Sequence, residues 1–596
     1  MKGDWKGRIL GAGLAGLGWG LAEFMATLFS SVWVERPLAL ASASLALGLL
    51  FSVPGAVLGR GAREAIAYAL LGLVSLELAL AIATDPPPFQ EAAWYVANPL
   101  ALVLGLGALV GLGLLVRRVG PLWALSLVAL GLPFGRARLL DPVQVAHPPS
   151  GPSVLLVTLD TTRADHIGAY GHTGAQTPNL DALAQRGLRF DQAYAQIAVT
   201  GPSHATILTG TGSWTHDTLL NGVPLPTDQP VLAEQLRAHG YVTGAFVSAY
   251  VLDGDKGFRR GFEVYDDDFS SLRSEGLLGS RLKAAAVRRF WPDQILERRG
   301  DLTVDAALDW LEGQDQRFFL WVHLFDPHGP YEPPAPYDEL YRGDPRDPAH
   351  TSMSAVDPEE VAPYLRQSLS GITDVDWVLA QYDGEIAFAD AQLGRLVEGI
   401  PRDTLVVVAG DHGEAFGEHG VWFDHGDDLY DASTRVPLIL AGPGVDPGVR
   451  QDLAELTDLA PTIYGLLGLA APEGMDGRDL LLGGRGTARG LAYDRPANLQ
   501  ARAADPDLRP SFRVVSLRSA DSRYVHREAP GFEDTLFLSD AGQGYRPHSE
   551  IDVAPHHDLA PLRAQARGLL SGDAQRSMVE LSEDERLRLE ALGYME

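Results

Sequence analysis

The stretch Ala198–Gly210 (AVTGPSHATILTG) sets a hydroxyl, Thr200, just ahead of a helix start. Pro202 suits a first helical turn, because its fixed φ is helical and its missing N–H costs nothing there. The N–H groups and dipole of such a helix end favour a phosphate or sulfate. Asp160 closes an apolar run, Ser153–Asp160 (SVLLVTLD), that reads as a buried parallel strand with a carboxylate at its C-terminal end. Ligands of open α/β sheets gather at those ends. A second run, Thr404–Gly410 (TLVVVAG), ends in Asp411-His412-Gly413-Glu414. A carboxylate and an imidazole adjacent at a strand end can reach one ion when the strand breaks into a turn, and Gly413 permits the turn. A third run, Arg317–Phe325 (RFFLWVHLF), leads into Asp326-Pro327-His328-Gly329-Pro330-Tyr331. His328, between prolines, has little core role to play and reads as a reacting group, whereas His323 reads as a strand histidine. Asn221, in LLNGVPL, is either a turn residue before Gly222 or a group near the substrate.

These segments together resemble the sulfatase-like branch of the alkaline phosphatase superfamily. The resemblance rests on the Thr-x-Pro-Ser-His segment, on TPNLDALAQRGLRF, on DPHGPY, and on DHGE…GEHG…HG…RVPL, and it covers about residues 151 to 596. It implies that Thr200 is the nucleophile and that Asp160, Asp411, His412 and the Thr200 oxygen hold a divalent metal ion. Zn²⁺ or Mn²⁺ is favoured for oxygen ligands with one imidazole, with Mg²⁺ and Ca²⁺ as alternatives. It places His328 at the leaving oxygen, His204, which stands where sulfatases have Arg, as a catalytic group at the equatorial oxygens of the transferred group, and Asn221 and His425 near the substrate. The sequence also departs from the sulfatase pattern. Thr161 replaces a second Asp, and Ser248 and Tyr250 stand about where a Lys and a His hold the sulfate. The formylglycine of sulfatases is made from Cys or Ser, and Thr200 is neither, so no formylglycine is expected.

The elements that would position these groups are legible as strands at Ser153–Asp160, Tyr241–Ser248, Arg317–Phe325, Thr404–Gly410 and Pro437–Ala441. Helices are expected from Thr177-Pro178 through Arg186 and over Leu232–His239. The acidic run at the end of Gly257–Asp268 (GFRRGFEVYDDD) reads as solvated. Short strands at Arg513–His526 and Thr535–Ser539 suggest a smaller C-terminal subdomain, and Ser582 with Glu585 forms a capping box in the tail. The expected fold class is α/β: a mixed sheet of alkaline-phosphatase/sulfatase type flanked by helices, then a small C-terminal α+β subdomain. An α-helical transmembrane bundle precedes them.

That bundle is expected over residues 1–140, with a linker at 141–150, the catalytic domain at 151–485 and the subdomain at 486–596. Leu10–Val34, Pro37–Leu58, Ala65–Ala83 and Pro99–Val116 are apolar runs about long enough to span a bilayer, which needs roughly 20 residues. Leu122–Leu132 makes a shorter fifth, and four spans is the alternative. Lys2, Lys6 and Arg8, then Arg60 and Arg63, then Arg117 and Arg118 place the N-terminus and the even loops in the cytoplasm. Five spans would export the remainder, giving a multi-pass inner-membrane protein with its catalytic domain on the periplasmic or extracellular side. Arg136 and Arg138 fit that orientation poorly.

The chain has 596 residues, a net charge of −29 and no cysteine. The charge argues against a nucleic-acid partner, and the missing thiols exclude disulfides and thiolate metal sites. The partners expected are the lipid bilayer and an anionic ester substrate. Three readings follow. The first is a metal-dependent phosphoesterase or phosphotransferase working through Thr200 on lipid, glycan or envelope substrates; the Thr-nucleophile lipoteichoic-acid-type synthases and phosphoethanolamine transferases resemble it. The second is a sulfuric ester hydrolase. The third is a non-catalytic membrane scaffold with a degenerate site.

Overall fold

In the computed structural model the described residues are 149, 151–174, 176–269, 297–341, 343–358, 361–362, 364–426, 428–493, 513–519, 522–527, 535–538, 551–552 and 559–571. They belong to one compact unit built from Val145–Ser271 and Pro292–Glu596. The expected membrane spans and the tail capping box lie outside the described residues. Among the described residues no helix is long and apolar enough to cross a membrane.

Eight strands form the central sheet: β1 (Val154–Leu159), β2 (Leu188–Phe190), β3 (Val242–Phe246), β4 (Val264–Asp266), β5 (Phe318–Leu324), β6 (Leu405–Gly410), β7 (Leu438–Ala441) and β8 (Gly448–Arg450). Their spatial order is β8-β2-β7-β6-β1-β5-β3-β4. β1 pairs in parallel with both β5 and β6, and β3 pairs in parallel with β4 and β5. β7 runs antiparallel to β6 and to β2, so the sheet is mixed. The central strands are continuous apolar runs because both faces are covered, as parallel strands require. Along β1, Val154 and Leu156 join one core, and Leu155, Val157 and Leu159 join the other.

Helices α2 (Thr200–Thr209), α3 (Leu232–Ala238) and α6 (Leu459–Leu466) cover the first face. Helices α1 (Pro178–Arg186), α4 (Gly300–Glu312) and α5 (Val375–Gly399) cover the second. Pro178 takes the first position of α1, but Thr177 makes no side-chain cap. Asp390 of α5 accepts the Asn179 and Leu180 N–H groups instead, at 3.1 and 2.7 Å. The acidic run after β4 is not merely solvated. Asp266 pairs with Arg298 at 2.8 Å, and Asp267 accepts the Gly254 N–H. Burial, then the Asp253 charge, pushes the Asp267 carboxyl up to about 6.

A five-stranded antiparallel sheet follows: β9 (Ala488–Tyr493), β10 (Arg513–Arg518), β11 (Ser522–Arg527), β12 (Thr535–Leu538) and β13 (Ile551–Asp552). Helix α7 (Ala560–Ser571), not anticipated from the sequence, buries Ala566 against Leu491, Val515 and Tyr524. Arg518 and Arg523 of this sheet both reach Asp431 of the catalytic region, the latter at 3.1 Å.

Candidate active site

The site lies just beyond the C-terminal ends of β1, β5 and β6. Leu159 of β1 is the register partner of Gly410 of β6, so Asp160 and Asp411 are the next residues on neighbouring strands. The ladder carries one step further. The Asp160 N–H donates to Leu324 O at 2.9 Å and the Asp411 N–H to Leu159 O at 3.2 Å. Both carboxylates are therefore held by sheet geometry and not by loop packing, and both are fully buried.

Each carboxylate commits one oxygen to the protein. Asp411 Oδ1 accepts the Thr161 and His412 N–H groups at 3.1 and 2.7 Å. Asp160 Oδ2 faces His323 Nε2 at 3.1 Å. The other oxygens, Asp160 Oδ1 and Asp411 Oδ2, are buried with no hydrogen-bond partner. Two bare carboxylate oxygens in a dry site are costly unless a cation lies between them. Burial, and then the Asp160 charge, raises the Asp411 carboxyl well above the usual carboxylate range, the strain expected of such a pair with no counter-charge.

His412 supplies a nitrogen to the same point. Its Nδ1 lies 3.0 Å from Gly413 O and therefore carries the proton, leaving a lone pair on Nε2. That Nε2 lies 3.5 Å from Asp411 Oδ2, 3.9 Å from Asp160 Oδ1 and 3.2 Å from Thr200 Oγ1. Burial lowers the His412 pKa well below its ordinary value, so the ring is neutral, as a metal ligand must be. Two oxygens, one imidazole and a hydroxyl thus converge, and the residues present fit a divalent cation. Gly413 makes the turn possible, because a Cβ there would lie 2.0 Å from Ala432 O.

Thr200 is not ahead of its helix but at its first position, with Val199 as the cap. Pro202 is accordingly third, where its missing N–H still breaks no helical bond. Asn221 Oδ1 accepts the Gly201 N–H at 2.7 Å. The helix end therefore offers less to an anion than its sequence suggests. Asn221 Nδ2 is buried with no hydrogen-bond partner, on the amide whose Oδ1 holds the residue after Thr200.

His204 stands differently from its expected place. It lies one turn along α2, with Nδ1 donating to Thr200 O at 2.8 Å and Nε2 accepting from Thr158 Oγ1 at 2.9 Å. Thr158 Oγ1 in turn accepts from Trp321 Nε1. Nε2 thus ties the ring to β1, while Nδ1 stays with the first residue of its own helix and lies 3.6 Å from Asp411 Oδ2, so His204 holds α2 against the sheet at the edge of the carboxylate pair.

His328 and His425 are brought to the centre. The rings of His412 and His425 are 4.5 Å apart, and those of His425 and His328 are 5.3 Å apart. His328 stacks on Phe325 at 4.3 Å and donates Nδ1–H to Gly329 O at 2.7 Å. His425 Nδ1 meets Glu414 Oε1 at 3.1 Å. Asp326, beside His328, does not orient it. Asp326 Oδ1 accepts the Gly300 N–H at the start of α4, at 2.8 Å.

Two contributors carry no clear signal in the sequence. His323 accepts the Ser248 N–H on Nδ1 at 3.4 Å, so its Nε2 holds the proton that it gives to Asp160. Arg163 is buried, and its guanidinium spans Asp165 and Glu418 and reaches Glu414 O. It fastens the loop after Asp160 to the loop after Asp411.

The sequence model of the Sulfatase family matches residues 152–469. The chain is similar to an ulvan-active sulfatase of Formosa agariphila, at 26% identity over 395 residues, covering 60% of this chain and 70% of that protein. It is similar to the multifunctional alkaline phosphatase superfamily protein PehA of Trinickia caryophylli, at 28% identity over 401 residues, covering 55% and 76%. Among solved structures, a phosphonate monoester hydrolase of Agrobacterium radiobacter superposes with a TM-score of 0.54 and 26% identity, covering 71% of this chain and 96% of that one. With strand-end carboxylates, a hydroxyl at a helix start and a match over half its length, the chain belongs to the Sulfatase family, ester hydrolases of the alkaline phosphatase superfamily.

Proposed function

We propose that this chain is a membrane-anchored, metal-dependent hydrolase or transferase of phosphate esters, acting through a covalent Thr200 intermediate. Its catalytic domain would face the periplasm or the extracellular space, with lipid, glycan or envelope esters as substrates. The observation that carries this reading is Thr200 Oγ1 at 3.2 Å from His412 Nε2, beside the unpartnered Asp160 Oδ1 and Asp411 Oδ2.

Sulfatase-family enzymes generally use a divalent metal, and Asp160, Asp411, His412 and Thr200 would hold it here. The bound cation would supply Lewis-acid chemistry, making a hydroxyl more acidic and offsetting negative charge. Thr200 Oγ gives up its proton and attacks phosphorus in line, the ester P–O bond breaks, the leaving oxygen takes a proton from His328, and a phosphothreonine remains. Water or an acceptor hydroxyl then attacks phosphorus, and the bond to Thr200 breaks. Asn221 Nδ2 and the helix end would stabilise the equatorial oxygens. His328 exchanges its proton through Nε2, because Nδ1 is engaged with Gly329 O. Burial lowers the His328 pKa, so the free ring is neutral, and an anionic substrate would raise it toward the protonated form that can give a proton to the leaving oxygen.

The sulfate-ester reading is favoured by the similarity to the ulvan-active sulfatase. Side-chain chemistry opposes it. Oxidation of a Cys or Ser side chain yields an aldehyde, whereas the methyl group on the Thr200 Cβ permits only a ketone.

The experiment is turnover by the detergent-purified full chain, supplied with Mn²⁺ or Zn²⁺, on matched aryl phosphate diester, phosphate monoester and sulfate ester. Phosphate-ester turnover abolished by Thr200→Ala is expected. Turnover of sulfate alone would refute the phosphate reading. No turnover and no bound metal would favour the scaffold.

A further inference from the structure

Among the described residues, His166, His172 and Asp383 form a group of metal-ligating side chains that shares no member with the active site. His166 Nδ1 lies 2.6 Å from Asp383 Oδ1, and His172 Nε2 lies 3.2 Å from Asp383 Oδ2. The two imidazole rings are 5.2 Å apart. One ligand atom from each residue can be chosen so that all lie within 4.8 Å of one another. A tetrahedral zinc site with bonds of about 2.0–2.1 Å spaces its ligand atoms by roughly 3.4 Å, so small rotations suffice. We propose that His166, His172 and Asp383 form a second metal site, one that takes a Zn²⁺-like transition ion.

The local backbone is shaped to bring the two histidines together. His166 closes one turn of 3₁₀ helix, Ala164–His166, and His172 follows a second, Gly168–Tyr170, which ends at Gly171 with φ +104°. Gly168 lies against Asp181, where a Cβ would meet Oδ2 at 2.4 Å. Asp383 comes from α5, more than two hundred residues later in the chain. The side chains of His166, His172 and Asp383 are 11%, 29% and 18% exposed, so the group is held by its surroundings yet open to water for a fourth ligand. Two neutral imidazoles and one carboxylate are the donors that select Zn²⁺ and its neighbours over Mg²⁺ or Ca²⁺. With no ion bound, Asp383 bridges the two rings by hydrogen bonds. Coordination would replace these, each neutral imidazole moving its proton to its other nitrogen.

The position gives such an ion a mechanical role. Tyr382, next to Asp383, donates to Thr161 O at 2.6 Å and accepts the Arg163 N–H at 3.0 Å. An ion tying residues 166 and 172 to α5 would therefore brace the loop that leaves Asp160. The ion is structural in this role, and substrate turnover does not require it to change.

The experiment measures zinc per chain in the full-length protein, after chelator treatment, reloading with Zn²⁺ and dialysis. His172→Ala and His166→Gln are expected to hold one equivalent less than the unaltered chain while keeping its circular dichroism and turnover. Asp411→Asn, which removes an active-site ligand, is expected to keep the equivalent that His172→Ala loses. Cobalt offers a check without substitutions in the group: Asp411→Asn loaded with Co²⁺ should show the visible absorption of a low-symmetry site. Equal zinc in all folded variants, or no metal of either kind in Asp411→Asn, would overturn the proposal and leave a hydrogen-bonded triad.

Discussion

His323 Nε2 donates a hydrogen bond to Asp160 Oδ2 over 3.1 Å, and this fixes which oxygen of Asp160 remains for a cation. The ring's other nitrogen is occupied by the Ser248 N–H, so the direction of the bond is set. Partners that orient a metal ligand typically contribute about 10–100-fold in metal affinity. His323→Ala should weaken metal retention by that order, measured by competition with a chelator. His323→Gln, which can still donate, should lose less. Equal retention by both variants and the parent would rule out the positioning role.

Thr200→Ala should lower phosphate-ester turnover by at least about 10³-fold, the scale on which removing a covalent nucleophile acts. Thr200→Ser should keep measurable activity through the same oxygen. Mass spectrometry of rapidly quenched reactions should find a phosphate on Thr200 in the parent chain. Its absence during active turnover would point to direct attack by water.

Asn221 holds the helix end with Oδ1 and leaves Nδ2 without a protein partner. Asn221→Asp keeps the acceptor and replaces the donor by a negative charge. A loss in kcat of about 10²–10³-fold, with bound metal unchanged, is expected of a lost oxyanion donor. A change in KM alone would assign Asn221 to ground-state binding.

Gly413→Ala tests the turn behind His412. The new methyl would stand 2.0 Å from Ala432 O, and the Gly413 N–H is tied to Ser433 O at 2.8 Å. Neither neighbour is a flexible side-chain end. The variant should be destabilised by several kcal/mol, in the range of the largest single-substitution effects. A thermal midpoint equal to that of the parent would show that the strand end can relax.

Glu385 provides a pH signature outside the active-site ligands. Burial, then the Asp326 charge, raises its carboxyl to about 9, against 4.5 ordinarily. The folded chain therefore keeps a proton that the unfolded chain has lost, and stability falls as pH rises between these values. Glu385→Gln keeps a neutral side chain throughout. Fluorescence-detected melts should show the variant gaining on the parent at pH 8 and converging with it near pH 4. A gain independent of pH would mean the carboxyl is ionised in the fold.

Much of the centre is legible in the sequence because strand ends announce themselves. Asp160 and Asp411 each follow a continuous apolar run, and the structure sets them one residue past β1 and β6. What could not be read is direction around a helix. His204 and Thr200 share one helix face, one turn apart, yet the partners of the ring are the Thr200 carbonyl and, on β1, the Thr158 hydroxyl, a contact across 46 positions that the motif does not announce. His323 carried no signal because its role depends on Asp160 in the adjacent strand, a pairing that spans 163 positions. The acidic run near Asp267 looked solvated because the Gly254 N–H that it accepts is invisible in composition.

The shared register of β1 and β6 has a consequence for how this chain can vary. The Asp160 and Asp411 side chains stand next to each other because Leu159 and Gly410 are partners in one ladder. Side chains alternate faces along a strand, so inserting or deleting one residue within either would turn a ligand to the opposite side of the sheet. The sheet is a ruler for the carboxylate pair. Length changes in loops leave its scale untouched, while in these two strands even a single added residue breaks it.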